Sequence, residues 1–235
     1  MLHYKFQLQD RPIGAFAGPS ILASGGKCIV TTAGSPAKAT LTDKDGDALA
    51  NPISLTLGSG EFYTANTVTA VDLFILTGEG HSVQLWSVGP DELNEVPVDR
   101  SNNHQMLIVP ISVDDQVSDN TEVDTGIDLL VGMVMLPWPH IKVATVDAGE
   151  TVDVGTGEAV PADGGDADGF VSLASVATAG LVSDVNGALI ASIVTYIAPN
   201  DSVTWTMSAG ADTAELYAFL PYMLMQTGTP IITQS

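Results

Sequence analysis

The sequence predicts an all-β fold with little helix, arranged as two β-sandwich or jelly-roll-like domains. Three observations predict it. Apolar residues alternate with hydroxyl residues: Ile53, Leu55 and Leu57 with Ser54 and Thr56, and Val203, Trp205 and Met207 with Ser202, Thr204 and Thr206. Alternation of this kind puts hydrocarbon on one face of a sheet. Turn dipeptides separate the runs. Sustained i, i+3, i+4 spacing is missing, and residues 171–180 are the best short helical candidate, an ambiguous one.

In chain order, Asp45-Gly46 joins residues 39–41 to residues 48–49 as a hairpin. Residues 68–76 and 83–88 are denser in apolar groups, which suits strands buried on both faces. Gly78-Glu79-Gly80 separates them. Residues 89–105 are polar, hold two prolines and show little periodicity, so a boundary is expected near residue 100. It divides an N-terminal domain, residues 1–100, from an acidic C-terminal domain, residues 101–235. Val152 and Val154 alternate with Thr151 and Asp153, and Asn186-Gly187 predicts a second hairpin, between residues 181–185 and 188–197. Residues 71–76 (VDLFIL) are echoed by residues 214–219 (AELYAF), a short sign of two related sandwiches.

The charge narrows the function. Seven Lys and Arg stand against 28 Asp and Glu, for a net charge of -21. Residues 1–100 carry six basic and eleven acidic groups; residues 101–235 carry one basic group, Lys142, and 17 acidic ones. Phosphate neutralisation needs Lys and Arg, so nucleic acid is not an expected partner. Anionic membrane surfaces are disfavoured for the same reason. Cys28 is the single cysteine, which excludes an intrachain disulfide and suits folding in a reducing cytoplasm. No secretory h-region opens the chain and no apolar run has the length of a bilayer span, so a soluble protein is expected.

Candidate chemistry is sparse. Asp43, Asp45 and Asp47 resemble the start of an EF-hand loop, but Ala48 stands at the sixth position and Ser54 at the twelfth, where Gly and Glu are needed. A polar turn explains them better. Asp163, Asp166 and Asp168 lie on a Gly-rich backbone and offer oxygen ligands to Ca²⁺; the competing reading is a bare exposed acidic loop. His3, His81, His104 and His140 lack ligand spacing. There is no Gly-x-Ser-x-Gly elbow, and Gly58-Ser59-Gly60 reads as a turn. No catalytic residue and no cofactor are expected beyond that Ca²⁺ candidate. Trp86, Trp138 and Trp205 read as core or contact residues before they read as a sugar platform.

Two oily segments, residues 130–138 and 216–225, must be core strands or subunit contacts, because an exposed strand of that composition aggregates. Contact candidates are Leu130, Met133, Met135, Trp138, Leu216, Tyr217, Phe219, Tyr222 and Met223.

Residues 164–180 (GGDADGFVSLASVATAG), residues 201–222 (DSVTWTMSAGADTAELYAFLPY) and the 39–74 stretch with Ser59-Gly60-Glu61-Phe62 resemble virion structural proteins of tailed bacteriophages, in particular capsid decoration (cement) proteins. The resemblance implies a non-enzymatic component shown in many copies on the outer surface of a shell. Its partners would be the major capsid protein and further copies of itself, most often as a trimer. The runner-up is a fibre or baseplate module that binds host-surface glycans.

Overall fold

The computed structural model describes residues 1–10, 26–90, 93–98, 104–117, 120–130, 133–157, 168–183, 202–208 and 212–224. These residues are β throughout, apart from one 3-10 turn at Val113–Asp115. In chain order the first strands are β1 (Leu2–Asp10), β2 (Lys27–Thr32), β3 (Leu41–Thr42), β4 (Ala48–Leu49), β5 (Ile53–Ser54), β6 (Ser59–Thr64), β7 (Val71–Leu76), β8 (Ser82–Val88) and β9 (Leu93–Val98). The remainder are β10 (His104–Ser112), β11 (Val123–Asp128), β12 (Met133–Met135), β13 (His140–Thr145), β14 (Thr151–Thr156), β15 (Val171–Ser175), β16 (Gly180–Val182), β17 (Ser202–Met207) and β18 (Glu215–Leu224).

They form four sheets. The first has the order β4-β3-β6-β1-β9 and the second β5-β2-β7-β8. The third runs β10-β18-β13-β16 with β12 also on β18, and the fourth β11-β17-β14-β15. Among the described strands, no sheet mixes strands from the two sides of residue 100. Pairing is antiparallel except where β9 lies parallel to β1.

Side-chain alternation stacks the sheets. Tyr4, Phe6, Leu8 and Phe62 of the first sheet meet Cys28, Val30, Leu73 and Ile75 of the second in one core. The other faces of β2 and β7 send Ile29, Phe74 and Leu76 into a second core with the third and fourth sheets. Leu216, Ala218, Leu220 and Tyr222 of β18 pack in that core with Val203, Trp205 and Met207 of β17. The central strands of the second sheet, β2 and β7, are therefore covered on both faces, and all six residues of β7 are buried.

Hydrogen bonds tie the two halves. The Tyr222 hydroxyl donates to the Gly80 carbonyl at 2.5 Å. Gln84 Nε2 donates to the Met106 carbonyl at 3.2 Å, and Ser35 Oγ to Glu215 Oε1 at 3.1 Å. Lys38 Nζ lies 4.0 Å from Asp115 Oδ2. Pro52 closes against Gly126, where a Cβ would meet it at 2.7 Å and φ is +72°. Only glycine fits that place.

Several expectations change. The helical candidate is instead two strands, β15 and β16, joined by residues 176–179: β15 pairs with β14, and β16 with β13. The polar stretch before residue 105 contains β9, whose Val96 and Val98 are buried. Pro97 is tolerated there because β9 is an edge strand. β8 is also an edge strand and is mostly half-exposed, so it is not buried on both faces. The turn near residue 58 is Leu57-Gly58, and Ser59 and Gly60 already belong to β6. The Asp45-Gly46 hairpin is present, with β3 on β4 and Gly46 at φ +90°. The Asn186-Gly187 hairpin lies outside the described residues.

Candidate interaction surface

The oily segments face inward for the most part. β18 is an interior strand of the third sheet, and β12 pairs with its far end. Met133, Met135, Leu216, Tyr217 and Tyr222 are buried within the chain. Leu130, Phe219 and Met223 are half-buried. Trp138 alone of the nine is largely exposed, at 75%. Tyr217 is covered by the second sheet: its ring centroid is 5.8 Å from those of both Phe74 and Trp86. Burial, with Asp72 and Glu215 nearby, pushes its phenol up to about 12.

The surface is marked by three apolar residues: Trp138, one of the contact candidates; Leu57, which alternation puts on the apolar face of a strand; and Leu173, which falls in the short helical candidate. Leu57, Trp138 and Leu173 have φ of +51°, +74° and +51°. They are 66%, 75% and 68% exposed. Left-handed backbone is costly for such side chains, and it turns them outward. Each is held by its setting. Leu57-Gly58 forms a two-residue turn with Gly58 at φ +72°, closed by a Thr56–Ser59 bridge. Trp138 stands between Pro137 and Pro139, where the chain passes from β12 to β13 along the same side of β18. Leu173 lies in a bulge of the edge strand β15, and its N–H donates to Asp153 Oδ1 at 2.6 Å. The edge strand β8 repeats the device: Ser87, at φ +54°, donates its N–H to Asp72 Oδ1 at 2.7 Å. Bulges gripped in this way twist an edge away from unwanted pairing.

The outer face of the third sheet forms a step. The second sheet covers β10 and β18 and ends at β8. Trp86, 53% exposed, is the wall of the step. The floor continues across the strands from Tyr217 to Lys142 on β13 and Leu181 on β16, by direct cross-strand register. Beside that row His140 stacks on Phe219, with centroids 4.7 Å apart and planes 9° apart. Leu181 is 67% exposed.

Asp163 and Asp166 lie outside the described residues. Asp168 accepts a hydrogen bond from Ser172 Oγ at 2.9 Å, and its charge adds to burial in raising the pKa of Asp153. Among the described residues no group of three His, Cys, Asp or Glu side chains is placed to hold a metal ion. Asp43 Oδ1 accepts the N–H groups of Asp45 and Asp47, so this carboxylate caps its own turn. His3 bonds Glu61 at 2.9 Å. Cys28 is fully buried, and burial pushes its thiol up, away from the reactive thiolate. Trp205 is buried far from solvent contact, which separates it from Trp86 and Trp138. No helix among the described residues is long and apolar enough to cross a membrane.

No family model matches the chain, and no curated protein matches it. Among solved structures, that of infectious bursal disease virus (Gx strain) aligns at 12% identity and a TM-score of 0.26, over 94% of this chain and 56% of that one. This chain thus spans little more than half of that chain's length.

Proposed function

We propose that the chain is a non-enzymatic virion structural protein that binds the outer surface of a phage capsid and stabilises it. The observation that carries this reading is the outward display of Leu57, Trp138 and Leu173 on left-handed backbone. Each costs about 1 kcal/mol or more in backbone strain, and each leaves a large apolar group in water. The hydrogen bond from the Leu173 N–H to Asp153 Oδ1 and the bridge around Leu57-Gly58 hold the backbone, but the three apolar side chains stay in water, and burial in a partner's pockets would offset that cost. Trp in particular anchors protein contacts. The stacked sheets behind them supply a rigid support. The resemblance to tailed-phage decoration proteins points the same way, and a net charge of -21 would steer the chain to a basic shell.

The test is co-sedimentation of purified protein with assembled capsids, followed by heating of the particles. Binding and a higher disruption temperature are expected. Leu57→Asn combined with Trp138→Asn and Leu173→Asn should abolish binding with the fold intact, since Asn accepts left-handed backbone. Absence of wild-type binding at every stage of capsid maturation would sink the reading. Exposure of Trp86 and Trp138 favours the fibre or baseplate alternative, in which their rings stack on host glycans. Glycan-array binding lost in Trp138→Ala would move the assignment there.

A further inference from the structure

We infer that the step on the outer face of the third sheet, with wall Trp86 and floor Lys142 and Leu181, docks an acidic surface of a second copy of this chain in a head-to-tail contact. The inference rests on the decoration reading for its choice of neighbour and adds the surface by which copies meet.

Two copies with 17 acidic groups against one basic group in residues 101–235 repel each other over most of their surface. A contact is favourable only where that sign is locally inverted. Lys142 is the one such place in this part of the chain, and it lies in a row with Leu181 and Tyr217. Among the described residues Lys142 forms no ion pair. Its hydrocarbon stem can lie on the apolar floor while its ammonium stays available to a partner carboxylate.

The same charge logic separates the two partners. A basic shell is attracted to the acidic surface and repelled from Lys142. A neighbouring copy on that shell brings carboxylates to the Lys142 ammonium, which forms no ion pair among the described residues. Geometry then selects the symmetry. A two-fold contact of the step with itself would set two copies of Lys142 in one apolar patch. A heterologous contact places Lys142 against acids elsewhere on the next copy, and such contacts close into rings when the rotation allows. The flat floor, open on a sheet face with Leu181 67% exposed, suits a protein surface better than a small ligand, which favours a concave site.

The experiment is sedimentation velocity of the full chain over a range of concentrations, at low and high salt. The wild type should assemble into a discrete oligomer that weakens with salt. Lys142→Glu and Leu181→Asp should each raise the dissociation constant by about tenfold or more, with unchanged melting curves, and Lys142→Arg should assemble normally. A wild type that stays monomeric overturns the proposal, as does assembly of both variants at the wild-type concentration. Shielding of the Lys142 amine from an acylating reagent in a monomer would assign the step to a segment of the same chain, and stabilisation of a monomer by an acidic polysaccharide would assign it to a glycan; either overturns the inference. Capsid co-sedimentation is read separately. Ring formation without capsid binding sinks the decoration reading and leaves the step; capsid binding by a monomer does the reverse.

Discussion

β7 and β18 are similar strings of apolar residues, and the structure buries both between two layers, yet their second faces meet different fates. On β7 the first face, Val71, Leu73 and Ile75, joins the core of the first two sheets. The second face, Asp72, Phe74 and Leu76, is completely covered by the third sheet. On β18 the inward set is likewise buried, but the outward set is covered only in part: Tyr217 lies under Phe74 and Trp86, while Phe219 and Met223 are half-buried. The second sheet runs out before the third does. An apolar ribbon therefore signals two covering layers, and the second layer can come from the same chain. Where that layer stops, an aromatic step remains.

The largest effect is expected at Phe74. Phe74→Ala should cost about 3–5 kcal/mol in urea unfolding, because the ring belongs to the core shared by the two halves. A loss under about 1 kcal/mol would mean that the halves do not support each other there. Asp72→Ala comes next, at about 2–3 kcal/mol. It strands the N–H groups of Gly34 and Ser87, held at 2.8 and 2.7 Å by one buried carboxylate. Equal melting temperatures for the variant and the wild type would refute that role. On the β18 side, Tyr222→Phe removes the hydroxyl bond to Gly80 and should cost about 1 kcal/mol, measured in the same way.

The smallest expected effects are pH-dependent and oppose each other. Asp147 accepts the N–H groups of Thr213 and Asp212, which hold its carboxyl below the usual carboxylate range. Its stabilising contribution is present above the unfolded pKa and is lost as the pH falls through the lower folded value. Asp153 has the reverse sign. Burial raises its pKa despite the bond from Leu173, so protonation as the pH falls through the raised value favours the folded chain. Melting temperature followed from about pH 7 to pH 3 should lose part of its acid-side decline in Asp147→Asn. It should decline more steeply in Asp153→Asn. Identical profiles for the wild type and both variants would show that neither carboxylate contributes to the acid response.

What the sequence determined by itself is the material of each layer. Period-two alternation assigns the inward faces of β17 and β14, Asp45-Gly46 dictates a tight hairpin, and the excess of acids describes a surface repelled by its own kind. These are local properties, carried by neighbouring residues along the chain. It also marked residues 216–225 as too apolar for solvent, without saying what covers them, because periodicity reports which face avoids water and not which layer excludes it. The tertiary structure decided that the second sheet caps the third, that Met133, Leu216 and Tyr222 turn inward, and that β9 emerges from a polar stretch. It also decided which large side chains stand outward. Leu173 holds left-handed backbone because Asp153, twenty residues away, grips its N–H. Such a conformation is unfavourable on local propensity alone, and it exists only because a distant carboxylate stabilises it.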